Sequence, residues 1–234
     1  MAKMIGLSRA LKPEWLNKTA ESVLEGMSAD DIKAILNEYI SFEISSKDNI
    51  RKTRDILLNL WVYPFKEESA NSIRAMALDA LRDGCPDMLA MHWCMLLLYY
   101  PVFVDVTGTI GALSSMQDSF SLTWLKGKMF EQWGERTTMV NSIPKIMQTL
   151  RQLGVVRSEK GACKIERNII SSDQTKIILI KTALTLGLKS YYEPSELAVI
   201  PQMFPFEYDV TSEIIFGSNA FEFGNFGGSP VVIK

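Results

Sequence analysis

The chain has 234 residues, 47% of them hydrophobic and 22% charged, which is long enough to bury a core and excludes the polar, high-charge bias of disordered chains. Its net charge of -2 excludes a global electrostatic pull toward nucleic acid, so any phosphate contact has to come from a local patch. Three cysteines, Cys85, Cys94 and Cys163, are odd in number and lack CxxC spacing; they fit neither a disulfide framework nor a zinc site, and a reducing cytoplasm is the expected compartment.

The first residues, MAKMIGLSRALKPEWL, lack the long apolar run of a secretory signal, so the chain is expected to be mature from residue 1. A first helix is predicted from Pro13, well placed in an opening turn, to about Gly26. Ser28-Ala-Asp-Asp supplies a cap and an acidic first turn for a second, in which Ile32, Ile35, Leu36 and Tyr39 form one apolar stripe. A third helix follows Ser45-Ser46 and stops at Tyr63-Pro64. Its outer cations Arg51, Lys52 and Arg54 are a secondary DNA candidate, but Asp48 and Asp55 beside them favour a neutralised, solvated face.

A further amphipathic helix covers Glu67 to Arg82, and Gly84 with Pro86 breaks it before an apolar stretch from Met88 to Val104. That stretch contains His92, ends at Pro101 and Asp105, and falls short of the roughly 20 residues of a membrane span. It is predicted to be a core helix with no solvent side. Val102 to Met116 carries Gly108 and Gly111, which marks either a helix closely approached by a neighbour or a broken one.

Shorter elements follow. Ser121 caps a helix over Leu122 to Trp133 with Leu122, Leu125, Met129, Phe130 and Trp133 on one face, and Gly134 ends it. The next helix presents Ile143, Ile146, Met147, Leu150 and Leu153 inward. Pro144 would cost roughly 3 kcal/mol well inside a helix, so Ser142 is expected to cap it after a break or kink at Asn141 to Ser142. Val155-Val156 and Ala162 to Ile165, separated by Arg157-Ser-Glu-Lys-Gly, read as a small hairpin. Helix, turn, helix and hairpin in this order define a winged helix-turn-helix, whose second helix enters the major groove. A helix from Ser172 or Asp173 to Gly187, a short one at Ser195 to Val199, and β or irregular segments at Phe206 to Phe216 and Phe221 to Ile233 complete the chain. Gly224-Asn-Phe-Gly-Gly lacks the lysine of a phosphate loop and is read as a turn.

The fold expected is therefore mainly α: an N-terminal helical domain over 1–100, a winged helix-turn-helix over 101–170, and a C-terminal helix with an irregular or β tail over 171–234 packing on the core. The outward face of the second helix offers Lys145, Gln148, Thr149 and Gln152, with Arg151 at its flank and Arg136, Thr137, Thr138 and the capping Ser142 at its start. Such side chains hydrogen-bond phosphates and base edges. Arg157, Lys160 and Lys164 add cations from the hairpin. From Ser121 to Asn168 nine basic residues face four acidic ones, a net +5, so with a chain total of -2 the remainder carries -7. The expected partner is double-stranded DNA, with no membrane association. The alternative is an interaction scaffold whose winged module docks another protein.

Catalysis is not expected. The single histidine sits on the core helix, where Cys94 two positions on does not face it. No HExxH, GxSxG, Walker or dinucleotide motif occurs, so neither metal nor cofactor is expected.

Several strings together, Ile50-Arg-Lys-Thr-Arg-Asp-Ile-Leu, His92-Trp-Cys-Met-Leu-Leu-Leu-Tyr-Tyr-Pro, Gly134-Glu-Arg-Thr-Thr, Leu150-Arg-Gln-Leu-Gly-Val-Val and Phe204-Pro-Phe, resemble the BrxA-type proteins of BREX phage-defence systems. The likeness runs over about residues 45 to 210 in layout and short motifs. It implies a small helical DNA-binding component of a multi-protein defence locus, without an activity of its own. Pro144 in the presumed recognition helix and the extended C-terminal tail depart from the pattern.

Overall fold

Nine α-helices carry most of the computed structural model, which describes residues 6–233. The first four are α1 (Pro13–Leu24), α2 (Ala29–Ser41), α3 (Lys47–Trp61) and α4 (Glu68–Arg82). Ser28 and Ser46 cap α2 and α3 by accepting from the backbone N–H groups of Asp31 and Asn49, each satisfying a donor that the first turn leaves free. The buried stripe of α2 is Ile32, Leu36 and Ile40, while Tyr39 turns outward. On α3, Arg51 and Lys52 pair with Asp48, and Arg54 pairs with Asp55, so this face is neutralised as its spacing implied.

α5 (Met88–Tyr99) is the central helix, with every residue from Ala90 to Leu97 buried. α6 (Pro101–Ser114) leaves it at a bend of 118° where Pro101 opens the new helix. Among the described residues no single helix is long and apolar enough to cross a membrane. α9 (Asp173–Leu186), capped by Ser172, packs against α4 and α5, so the chain returns to its first half after the middle segment.

Trp93 organises the centre. Its ring meets Phe103, Phe204 and Phe206 edge to face at 5.0, 5.5 and 5.7 Å, and its indole N–H donates to the carbonyl of Gln202 at 2.9 Å. Such edge contacts add about 0.5–1.5 kcal/mol each beyond the area they bury. The tight turn Pro201–Met203 is thereby drawn onto α6, and the two glycines of that helix mark a close approach rather than a break. A Cβ on Gly111 would lie 1.8 Å from the Pro201 carbonyl oxygen, and one on Gly108 would lie 2.5 Å from the Gln202 amide nitrogen.

The middle segment runs β1 (Ser119–Phe120), α7 (Leu122–Trp133), α8 (Thr137–Gln152), β2 (Val156–Glu159) and β3 (Ala162–Ile165). β3 lies between β1 and β2, antiparallel to both. β4 (Asn168–Ile169) pairs in parallel with β6 (Phe206–Glu207). At the end of the chain β5 (Tyr191–Tyr192), β8 (Ser229–Ile233) and β7 (Glu222–Phe226) form a sheet in that order, and the turn read over Gly224 to Gly228 is confined to Gly227 and Gly228, the first three residues being strand. Pro194–Ala198 is a 3-10 helix closed by a reciprocal Glu193–Glu196 capping box, and Glu213–Gly217 is a turn of π-helix inside a segment read as β or irregular.

α8 departs from expectation. It continues unbroken from Thr137 through Pro144, and Ser142 is a buried interior residue instead of its cap. The missing proline N–H costs about 3 kcal/mol. Starting the helix at Ser142 would take the fully buried Met139 out of it, whose burial stabilises by about 1.5–3 kcal/mol, and would also give up the backbone hydrogen bonds that Met139 and Val140 make to Arg136. Packing therefore outweighs the local rule, and the proline ring itself is exposed.

His92 lies deep between helices. Its Nδ1 accepts from the Trp61 indole N–H at 3.2 Å, which leaves Nε2 to donate to Asn17 Oδ1 at 2.7 Å. Burial holds its pKa down at about 3, against an ordinary 6.5. Burial likewise pushes the Cys94 thiol up to about 12. The unfolded chain therefore takes up the imidazole proton first as pH falls. The contribution of neutral His92 is intact above pH 6.5 and is lost toward pH 3, by at most about 1.4 kcal/mol per pH unit. In urea unfolding, the stability advantage of the native protein over His92→Gln should shrink between pH 6.5 and 4.5; a constant difference would mean that the imidazole charges without penalty. A second expectation concerns the glycines. Gly111→Ala should destabilise by at least the roughly 1–3 kcal/mol typical of overpacking, whereas Gly127→Ala on α7, with open space around it, should be neutral or stabilising by up to about 1 kcal/mol. Paired thermal melts test both.

Candidate nucleic-acid interface

α7 begins where Ser121 accepts from the Trp124 N–H and ends where Gly134, at φ 77°, turns the chain. Leu125 and Met129 are its buried residues, and Leu122, Phe130 and Trp133 pack half-buried beside them. Three residues later α8 starts, so the two helices are neighbours joined by a tight connection. Met139, Ile143, Ile146, Met147 and Leu150 hold α8 down. The opposite side of the helix exposes Thr137, Val140, Asn141, Pro144, Gln148, Arg151 and Gln152, with Lys145 half-buried at its edge.

An extended N-terminal segment, residues 6–12, lies along the flank of α8. Leu7 and Leu11 are fully buried. The Leu11 N–H donates to Thr149 Oγ1 at 3.0 Å, and Thr149 in turn donates to the Lys145 carbonyl at 2.9 Å. At the other end Gly6 sits so close that a Cβ would lie 2.7 Å from Ser142 Oγ and 3.0 Å from the Thr138 methyl, while Ser142 donates to the Thr138 carbonyl at 2.7 Å. Arg9 reaches across to Asn49 Oδ1 on α3 at 2.6 Å, and Lys12 pairs with Glu43. The segment thus straps α8 to the N-terminal helices.

This strap accounts for two departures from the sequence reading. Thr149 is fully buried and Ser142 is 3% exposed; neither faces outward, because both belong to the polar flank that receives the strap. Of the other candidates, Arg136 is the residue before the first turn of α8, and Thr137 and Thr138 lie in that turn, all exposed. Lys145, Gln148, Arg151 and Gln152 follow along the outward side, and Arg151 Nη2 approaches Cys163 Sγ on β3 at 3.6 Å.

The hairpin is tighter than expected. β2 extends to Glu159, and only Lys160 and Gly161, at φ 48° and 85°, form the turn between the paired Glu159 and Ala162, as in a two-residue loop with both central residues left-handed. Lys160 is thereby held at the tip. Arg157 and Lys164 sit opposite one another across the strands. Their repulsion is relieved because the Arg157 guanidinium meets Glu166 at 2.7 Å and Glu159 at 3.3 Å, which raises the pKa of Arg157. Lys128 pairs with Glu131, and Arg167 with Asp118 and Glu207. Lys126, Arg136, Lys145, Arg151, Lys160 and Lys164 make no ion pair among the described residues. Six of the nine cations in the segment are therefore free to neutralise an external anion.

Val140 and Asn141 were missed as helix-face residues because the sequence reading began the helix at Ser142, and Pro144 was read only as a first-turn residue. Once the helix is extended to Thr137, their spacing on one side is evident. The strap carried no signal, since an extended run of seven residues has no periodicity. Among the described residues no three His, Cys, Asp or Glu side chains converge as metal ligands. Comparison with protein-family models, with curated proteins and with solved structures finds no match to the chain.

Removing the strap's hydrogen bond leaves a buried N–H unsatisfied, at about 1–3 kcal/mol. Thr149→Val should accordingly destabilise by that amount, whereas Gln148→Ala next to it, exposed, should change stability by less than about 0.5 kcal/mol. Denaturant melts of the two variants distinguish a strap that holds α8 from one that merely lies on it.

Proposed function

We propose that the chain is a non-catalytic DNA-binding protein in which the unit from α6 through β3 is a winged helix-turn-helix. In this reading α8 enters the major groove, and the hairpin of β2 and β3 is the wing whose tip is Lys160. The observation that carries the reading is the set of six cations without an ion-pair partner, on α7, α8 and the hairpin, in a chain whose remaining charge is acidic. Cations left unpaired beside an exposed helix face are what phosphate binding requires, since each contact releases a condensed counterion. Arg136 and the first turn of α8 supply backbone contacts, and Lys145, Arg151, Lys160 and Lys164 flank the groove-facing side. The resemblance to BrxA-type proteins supports placing the protein in the bacterial cytoplasm as one subunit of a phage-defence complex.

Mobility shift with random-sequence duplex DNA tests this. Binding is expected at low salt and should weaken as salt rises, with a log-log slope of about -0.9 for each phosphate contacted. Lys145→Glu, Arg151→Glu and Lys160→Glu combined should flatten that slope by about 3 and weaken binding throughout. No binding at low salt would reject DNA recognition and return the module to docking another protein.

A further inference from the structure

The first turns of the helix assigned to the groove present Val140, Asn141 and Pro144 to solvent, followed by Gln148. Val140 is 41% exposed, an apolar side chain that the fold leaves uncovered. Among the described residues the side-chain hydrogen bonds of α8 belong to Ser142, Thr149 and Arg151, and none involves Asn141 or Gln148. Position matters as much as chemistry here. In helix-turn-helix proteins the N-terminal residues of the second helix reach the base edges, and these residues recur at three- and four-residue spacing on that side. Of the unpaired cations, Arg136 precedes the helix, Lys145 is half-buried at the edge of this side, and Arg151 lies on it in the last turn.

The first turns of this side thus carry no arginine or lysine of the kind that reads guanine, Lys145 lying at the edge and Arg151 only in the last turn, and they carry the two chemistries that read A·T pairs. Asn and Gln amides match the N7 acceptor and N6 donor of adenine, and an apolar surface packs on the C5 methyl of thymine. Guanine offers only acceptors in the major groove, and cytosine carries no methyl. We propose that α8 selects A·T-rich duplex DNA, with Asn141 and Gln148 reading adenine and Val140 with Pro144 covering thymine methyls. The inference rests on the DNA-binding reading above.

Two steps test it. Duplexes selected from a random library by the full chain should be enriched in A·T pairs over a site of a few base pairs. In the selected duplex, deoxyuridine should then replace thymidine, which deletes the methyl and keeps the pairing. The native protein should bind the uridine duplex more weakly, and Val140→Ser, which keeps only the Pro144 contact, should show a smaller difference between the two duplexes. Asn141→Ala should lose roughly 5- to 150-fold of the discrimination between A·T and G·C at one position. Binding that is equally tight on all sequences, or equal sensitivity to uridine in the native protein and Val140→Ser, would overturn the inference and leave DNA binding standing. Absence of any duplex binding would overturn the reading beneath it.

Discussion

The free face of α8 depends on that helix staying whole across Pro144. The balance is narrow by the magnitudes involved, with a lost backbone hydrogen bond at Pro144 on one side and the burial of Met139 with the first-turn hydrogen bonds on the other. Residues 6–12 reinforce the outcome by seating Leu7 and Leu11 and by spending the polar flank of the helix, through Ser142 and Thr149, on internal contacts. The consequence is directional. With one side in the core and one flank under the strap, α8 has a single free side, and that side carries Val140, Asn141, Pro144, Gln148 and Arg151.

The same logic fixes the surroundings. Trp93 gathers Phe103, Phe204 and Phe206, and the glycines of α6 let the Pro201–Met203 turn press against that helix. α6 leads directly into β1 and α7, so the segment bearing the candidate interface follows on from this closely packed helix. His92 belongs to this centre as well. A neutral imidazole with both nitrogens engaged, by Trp61 and Asn17, has neither a free lone pair nor a free proton to offer a reaction.

Local rules made the helices legible. Serine caps at 28, 46, 121 and 172 announced the starts of α2, α3, α7 and α9, and the all-apolar face of Met88 to Tyr99 announced the core helix. What stayed illegible has physical causes of three kinds. The start of α8 was misplaced because a proline's local cost was weighed without the tertiary burial of Met139. β1 has two residues and the strap is extended, so neither has a period to detect. The hairpin turn was read too long because Lys160 occupies the left-handed region, which side chains other than glycine uncommonly adopt. Of the interface candidates, Arg157 lies in a strand and is paired with Glu159 and Glu166, while Ser142 and Thr149 show that a polar side chain at the right spacing also serves to receive a neighbouring segment.

Lysine labelling read by mass spectrometry, with and without duplex DNA, tests the central claim most directly, because it reports where DNA touches without assuming a sequence preference. The account predicts that DNA shields Lys145, Lys160 and Lys164 while Lys33, Lys52 and Lys66, on the α2 to α4 side of the molecule, label as before. Shielding of the latter group with the former unchanged would contradict it.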